Sequence, residues 1–401
     1  MIQTVAGLSR EVKQYLLVTF NYWNFTLTDG ALRMLVVLHF HQLGYSPLAI
    51  AMLFLFYEIF GVITNLVGGY LGARLGLNRT MNVGLGLQVL ALLMLAVPSS
   101  MLSVPYVMAA QALSGIAKDL NKMSAKSAIK TLVPAEQSGA LYRWVALLTG
   151  SKNALKGVGF FLGGLLLVTV GFQGAMLLMA SLLLLVLLLS LRWLGRDIGK
   201  AKTKPKFQQI FSQSRSVNIL AAARLFLFGA RDVWFVVALP VYLGSTFGWS
   251  HLAIGGFLAL WVIGYGVVQG LAPKITGQQH SPDGRAALLW ALLLLLVTVA
   301  VAAAVQLQWQ PQATIVIGLL LFGAAFAINS SVHSFLIVHY AGADGVSLNV
   351  GFYYMANAMG RLIGTVLSGL VFQWAGLAAC LWISVLFLGA TALISLWLPR
   401  R

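Results

Sequence analysis

Cations set into apolar sequence are where this chain could do chemistry. Lys118, Lys122, Lys126 and Lys130 recur every fourth residue, so on a helix they form one cationic ridge. The stretch before them, 105–113, is apolar, which starts that helix inside a membrane. Lys152 and Lys156 repeat the spacing and run into a second apolar stretch. Charge buried in a bilayer is costly and marks a pathway or a binding site. With few carboxylates to match these lysines, the missing negative charge is expected to arrive with a ligand, so the expected cargo is an anion.

Further charges interrupt other apolar stretches. Asp29 and Arg33 are four residues apart and can pair on one helical face. Arg33 is eleven residues from Gly44, roughly 16 Å below that end at the rise of an α-helix. Arg231 adjoins Asp232, and Asp29 and Asp232 fall at matching depth in the two halves of the chain. Two readings stand: each pair neutralises itself and locks helices together, or the arginines grip an anion while an aspartate exchanges protons. Arginine suits bidentate contact with phosphate or carboxylate, which favours the second reading for Arg33 and Arg231.

Lys152, Lys156 and Arg361 have no acidic neighbour within a helical turn. Together with Lys118 they are the best anion-contact candidates. Asp119 adjoins Lys118 but points about 100° away around a helix, so it is expected to face another span. Glu58 has no basic residue one turn away. An isolated buried carboxylate tends to hold a proton, so Glu58 joins Asp29, Asp119 and Asp232 as a proton-coupling candidate. Lys122, Lys126 and Lys130 are expected to be shallower and cytoplasmic. Asn21, Asn153, Tyr353 and Asn357 add polar contacts, and Asn65, Asn329, Ser330 and His333 accompany them. This mixture suits a wet cavity and a hydroxylated anion.

The elements that must position these residues follow from composition. The chain is 60% hydrophobic and 9% charged, against about 25% charged in soluble proteins, and its mean hydropathy is +0.89. Its 26 Lys and Arg against 9 Asp and Glu give a net charge of +17. A nucleic-acid binder would gather that excess on a solvated face; here it lies mostly in short links between apolar runs, so no nucleic-acid partner is expected. Cys380 is the single cysteine, which excludes an internal disulfide and a thiolate cluster. His39 and His41 lack a third ligand, and no nucleophile–base constellation is legible. No metal, cofactor or enzymatic activity is expected.

A span needs about 20 apolar residues. Twelve candidates emerge, roughly 14–42, 47–72, 80–98, 104–125, 140–169, 172–193, 218–244, 250–273, 286–306, 312–336, 346–373 and 375–397. The links after odd-numbered spans carry no Lys or Arg, whereas the opposite links carry Arg74 and Arg79, Lys126 and Lys130, Arg192 to Arg215, and Lys274 and Arg285. By the positive-inside rule both termini lie in the cytoplasm. The first span follows directly on Ser9, Arg10 and Glu11, so no cleavable leader is expected. The link 194–216, with Arg196, Lys200, Lys202, Lys204, Lys206 and Arg215, reads as a solvated connector touching anionic headgroups. It divides the chain into a first set of six spans, 1–193, and a second, 217–401.

An internal repeat supports that division. Gly44-Tyr45-Ser46-Pro47-Leu48-Ala49-Ile50 recurs 204 positions later as Gly248-Trp249-Ser250-His251-Leu252-Ala253-Ile254. Lys156, Gly159, Gly164 and Gly171 match Arg361, Gly364, Gly369 and Gly376 at an offset of 205. Two like halves of six helices describe the major facilitator architecture. The link Gly69-Tyr70-Leu71-Gly72-Ala73-Arg74-Leu75-Gly76 resembles the loop motif of that superfamily, which implies a gating role for Gly69, Arg74, Gly76 and Arg79. Ala73 stands where the motif is acidic and Arg79 alone represents its basic pair, which weakens the gating charge network on this side.

A narrower resemblance covers nearly the whole chain. Asn21-Tyr22-Trp23 with Thr28-Asp29-Gly30-Ala31-Leu32-Arg33, the run Ala117-Lys118-Asp119-Leu120-Asn121-Lys122-Met123-Ser124-Ala125-Lys126, Gly150-Ser151-Lys152-Asn153-Ala154-Leu155-Lys156-Gly157 and Phe228-Gly229-Ala230-Arg231-Asp232-Val233-Trp234-Phe235 resemble the organoarsenical efflux permeases of bacterial arsenic-resistance operons. That resemblance implies an all-α, multi-pass protein of the bacterial inner membrane exporting 1-arseno-3-phosphoglycerate, and a monomer is expected. It also implies glyceraldehyde-3-phosphate dehydrogenase as the functional partner that makes the substrate from arsenate. The alternatives are an exchanger of ordinary phosphorylated metabolites and a non-transporting membrane receptor, the latter disfavoured because no link exceeds about two dozen residues.

Overall fold

The structure is a computed structural model and describes residues 10–45, 50, 53–132, 138–195, 198–202, 205–277, 281–342 and 344–400. Its α-helices are α1 (Arg10–Gln42), α2 (Leu55–Leu75), α3 (Leu77–Leu95), α4 (Val104–Leu132), α5 (Ser138–Trp193), α6 (Arg215–Phe235), α7 (Ala238–Phe247), α8 (His251–Ile275), α9 (Gly284–Gln306), α10 (Pro311–Tyr340) and α11 (Val346–Ser395). Seven helical stretches, counting α6 and α7 together, are long and apolar enough to cross a membrane. The remaining three, α1, α3 and α4, reach that length but are diluted by polar residues, among them Asn21, Asp29 and Arg33 in α1 and the lysine ridge in α4. Arg196 and Lys204 of the basic link and Ser46, Pro47, Leu48 and Ala49 of the repeat lie outside the described residues.

Two helices far exceed the roughly 20 residues a bilayer requires: α5 has 56 and α11 has 50. Each breaks at one glycine, Gly171 (φ 70°, ψ 176°) and Gly376 (φ 73°, ψ −172°). That backbone region is essentially closed to residues with a Cβ. The breaks fall at the two links expected there, so each long helix holds two of the expected spans. They also lie at the offset of the repeat, as do Gly44 (φ 84°) and Gly248 (φ 66°) at the heads of the repeated segment. The repeat is thus a repeat of backbone turns as well as of letters.

One expected span is not continuous. Within 218–244, α6 stops at Phe235 and α7 begins at Ala238. The amides of Val237 and Ala238 leave the helical ladder and donate instead to Ser368 Oγ of α11, at 3.4 and 3.0 Å. A side-chain acceptor of this kind is what allows a helix to break in apolar surroundings.

Helices α1–α5 pack on one another, as do α6–α11, and glycine sets the closest approaches. A Cβ on Gly159 of α5 would lie 2.5 Å from the Leu27 carbonyl oxygen of α1, and one on Gly364 of α11 would lie 2.7 Å from the Gly229 carbonyl oxygen of α6. The two groups meet through α5 against α8 at Gly150 and Gly266, and through α2 against α11 at Gly69 and Gly351. At the end bearing the 194–216 link they are tied together. Lys130 Nζ donates to the carbonyls of Val338 and His339 (2.7 and 3.0 Å), Thr276 Oγ1 donates to the Tyr142 hydroxyl (3.2 Å) and Ser347 Oγ donates to the Gly69 carbonyl (2.8 Å).

Candidate functional site

Each half builds the same ion pair. Asp29 of α1 faces Lys156 of α5 at 3.5 Å, and Asp232 of α6 faces Arg361 of α11 at 3.1 Å. Three residues beyond each cation lies the glycine, Gly159 or Gly364, that brings the two helices together. Lys156 and Arg361 had no carboxylate within a turn of their own helix, and their partners come from a neighbouring helix. The absence of an acidic neighbour within one turn therefore did not leave either cation unpaired.

The expected Asp29–Arg33 pair is replaced by longer-range contacts. Asp29 accepts a hydrogen bond from the Tyr57 hydroxyl (2.7 Å) besides facing Lys156. Arg33 reaches Glu58 of α2 at 3.5 Å and lies over the Phe54 and Tyr57 rings. Glu58 is therefore not isolated, as its sequence neighbours suggested. It sits between Arg33 and Arg361, the latter at 3.2 Å. Arg361 in turn spans two carboxylates, Glu58 on α2 and Asp232 on α6, and so links the two groups of helices. Arg231 closes the chain by binding the second oxygen of Asp232 at 2.5 Å. Asp232 is fully buried, whereas the side chains of Arg33 and Arg361 remain 30% and 28% exposed. Solvent therefore reaches the cationic side of this network.

A second group of charges gathers on α4. Asp119 takes Lys122 at 2.5 Å and Lys118 at 3.7 Å, both from its own helix, while its carboxylate also packs against Gly61 of α2. Lys118 lies 3.7 Å from the Tyr57 ring centroid and Lys122 4.9 Å from that of Tyr354, distances at which a desolvated cation is stabilised by a ring face. Lys122 and Lys126, expected to be shallow and cytoplasmic, are enclosed among the helices. Lys126 is buried, donates to Thr149 Oγ1 (2.6 Å) and faces the Tyr354 ring at 5.4 Å. The ridge continues along one helix face into the interface between the two groups, and only Lys130 belongs to the tied end. Lys152 donates to Asn153 (3.0 Å), which donates to Gln269 of α8 (2.6 Å).

Asn21 lies elsewhere. Its amide donates to Ser190 of α5 (2.8 Å) and touches Met81 of α3, so it joins helices inside the first group and is away from the charge cluster. Of the loop-motif residues, Gly69 forms the α2–α11 contact, Gly76 (φ 99°) joins α2 to α3, Arg74 donates to the Tyr70 hydroxyl and Arg79 is exposed. Arg224 is the residue that sequence reasoning missed. It is buried, donates to Asn357 Oδ1 (2.9 Å) and the Ser330 carbonyl (3.3 Å), and stacks at 4.0 Å from the Phe228 ring centroid. A signal was present: Arg224 precedes Arg231 by two helical turns, on the same face of α6.

Two like groups of apolar helices enclosing a charged interface define a multi-pass membrane protein of transporter architecture. The sequence matches the Major Facilitator Superfamily over residues 15–283, and the chain belongs to that family of secondary transporters, which are not enzymes. Its fold is similar to that of the human organic anion transporter MFSD10 (TETRAN), with a TM-score of 0.75 at 17% identity, covering 97% of this chain and 99% of that one. The E. coli fucose:proton symporter FucP gives 0.74 at 12% identity, covering 98% and 100%. A bacterial homologue of the iron transporter ferroportin, in an outward-facing state, gives 0.73 at 13%, covering 97% and 99%. At these identities the likeness shows the fold alone. No curated protein sequence matches the chain.

Proposed function

We propose that this protein exports an organic anion from the cytoplasm. The observation that carries this reading is the charge count at the interface between the halves. Among the described residues, Arg33, Lys118, Lys122, Lys126, Lys152, Lys156, Arg224, Arg231 and Arg361 face Asp29, Glu58, Asp119 and Asp232, nine cations against four carboxylates. Such an excess is costly in a membrane interior unless an anion completes it. The description of MFSD10 as an organic anion transporter is in keeping with this.

The particular cargo we propose is 1-arseno-3-phosphoglycerate, on the sequence blocks around Arg33, Lys118, Lys152 and Arg231 that resemble the organoarsenical efflux permeases. Its phosphate, arsenate ester and hydroxyl match cations accompanied by amides and tyrosines. Residues 1–193 and 217–401 would rock as two bundles about the site in a bacterial inner membrane. With both termini cytoplasmic, the tied end is the inner one and the site faces outward. A proton entering from outside and neutralising Glu58 would remove the charge that holds Arg361 to α2, which couples proton entry to opening of the interface. The membrane potential adds about 2.3 kcal/mol per charge per 100 mV in favour of anion exit.

Inside-out vesicles containing the protein, supplied with glyceraldehyde 3-phosphate, NAD, the dehydrogenase and arsenate, should accumulate labelled product. Replacing arsenate with phosphate should abolish accumulation. Equal accumulation with phosphate would instead identify a general phosphoglycerate carrier, and none in either case would refute export.

A further inference from the structure

The cations at the interface are not alike. Six of them lie within 4 Å of a carboxylate. Lys126, Lys152 and Arg224 do not: among the described residues their side-chain nitrogens meet only neutral oxygens, those of Thr149, Asn153, Asn357 and Ser330. The three come from α4, α5 and α6, yet they form one place. Lys126 lies over the Tyr354 ring and Arg224 over the Tyr353 ring at 5.3 Å, and those rings contact each other edge-on at 5.0 Å. From Lys152 a hydrogen-bonded chain runs through Asn153 and Gln269 to Ser330, whose carbonyl Arg224 also holds. Lys126 lies within electrostatic reach of both Arg224 and Lys152.

Lys126 and Arg224 are each only 3% exposed, so solvent does little to offset their repulsion. Lys126 repels both Arg224 and the half-buried Lys152, and such a group of cations is costly without a counter-charge. Polar groups that could assist one stand ready: the Tyr353 hydroxyl, both amide atoms of Asn329 and both ring nitrogens of His333 are buried without a hydrogen-bond partner among the described residues, and His333 is within electrostatic reach of Arg224. A monovalent carboxylate would leave most of the charge uncompensated. A dianionic oxyanion, with several acceptor oxygens, fits both the charge and the number of donors.

We infer that Lys126, Lys152 and Arg224 form the subsite that docks the most highly charged group of the cargo, a dianionic tetrahedral oxyanion such as a phosphate monoester. The six ion-paired cations, Arg33, Lys118, Lys122, Lys156, Arg231 and Arg361, already have carboxylate partners. This rests on the anion-carrier reading and assigns the charged head of the anion within it.

The test is calorimetric titration of the purified full chain in nanodiscs with 3-phosphoglycerate, methyl phosphate and glycerate. The wild-type protein should bind both phosphate esters more tightly than glycerate. Lys126→Gln, Lys152→Gln and Arg224→Gln should each weaken 3-phosphoglycerate about tenfold or more and change glycerate less than about twofold. Lys126→Arg and Lys152→Arg, which keep the charge, should retain most of the affinity. Equal weakening of glycerate and 3-phosphoglycerate, or unchanged binding by variants that elute monodisperse, would overturn the subsite while leaving an anion carrier. A wild-type protein that binds none of the three anions would overturn the carrier reading and the subsite with it.

Discussion

Around Glu58 and Asp232 every carboxylate touches two cations, whereas Lys126, Lys152 and Arg224, beside Tyr353 and Tyr354, have no carboxylate within 4 Å among the described residues. The first region is complete without a ligand. Its cations are already spoken for, and moving any one of them requires another charge to move or to be neutralised. Arg361 makes this a mechanical matter, since its two carboxylates sit on different halves of the molecule. The second region is incomplete and is satisfied only by what binds there. The difference separates two tasks of a carrier: one set of charges that holds the halves in register, and another that waits for cargo.

The comparison breaks most sharply on opposite signs of stability. Asp232→Ala strands Arg231 and takes from Arg361 one of its two carboxylates, and loss of one partner of such a buried pair costs about 3–5 kcal/mol. Unfolding in detergent micelles should show that loss as a large fall in Tm. Lys126→Met removes a buried charge that has no carboxylate and puts apolar volume in its place, so the ligand-free protein should gain about 1–4 kcal/mol. A Lys126→Met protein destabilised as much as Asp232→Ala would mean that the two regions are built alike. A smaller effect concerns the contact that keeps the halves together. A Cβ on Gly150 would lie 2.5 Å from the Gly266 carbonyl oxygen, and overpacking of this kind costs about 1–3 kcal/mol. Gly150→Val should therefore part α5 from α8. In a Cys380→Ser background, a cysteine placed at buried Ser334 should then react faster with a thiol reagent applied from the end bearing the termini. Unchanged reactivity would show that α5 and α8 do not seal that end.

Much of the fold was legible because its signals are local. Apolar length marks a span, and Gly171 and Gly376 mark the breaks inside two very long helices, at sites the repeat already paired. The interruption of α6 at Val236 was hidden, because the acceptor that permits it, Ser368, lies 130 residues away. The site divides in the same way. Its cations could be picked out one at a time, but their partners could not, since Lys156 meets Asp29 and Arg361 meets Glu58 only through helix packing. Reasoning within one helical turn therefore paired Asp29 with Arg33, left Glu58 alone and missed that Lys126 is buried. Arg224 was overlooked although its spacing from Arg231 marked the same face of α6.

The smallest expected effect lies outside both regions, and it tests whether position or charge alone matters. Arg74 carries the same charge as Arg224 and belongs to the loop motif, but it is exposed at the end of α2 and, among the described residues, meets the Tyr70 hydroxyl and ring. In water the guanidinium keeps its hydration when free, so the contact adds little, and surface substitutions of this kind stay within about 0.5 kcal/mol. The residue that would make this link a charge network in the superfamily motif is Ala73 here, and that alanine is buried. Arg74→Ala should therefore leave Tm, anion affinity and vesicle transport within about twofold of wild type. A large loss of transport with unchanged anion binding would place a gate at Arg74 despite Ala73. A loss of binding would mean that the anion is drawn by the overall positive charge of the chain, and the contrast between paired and unpaired cations would lose its meaning.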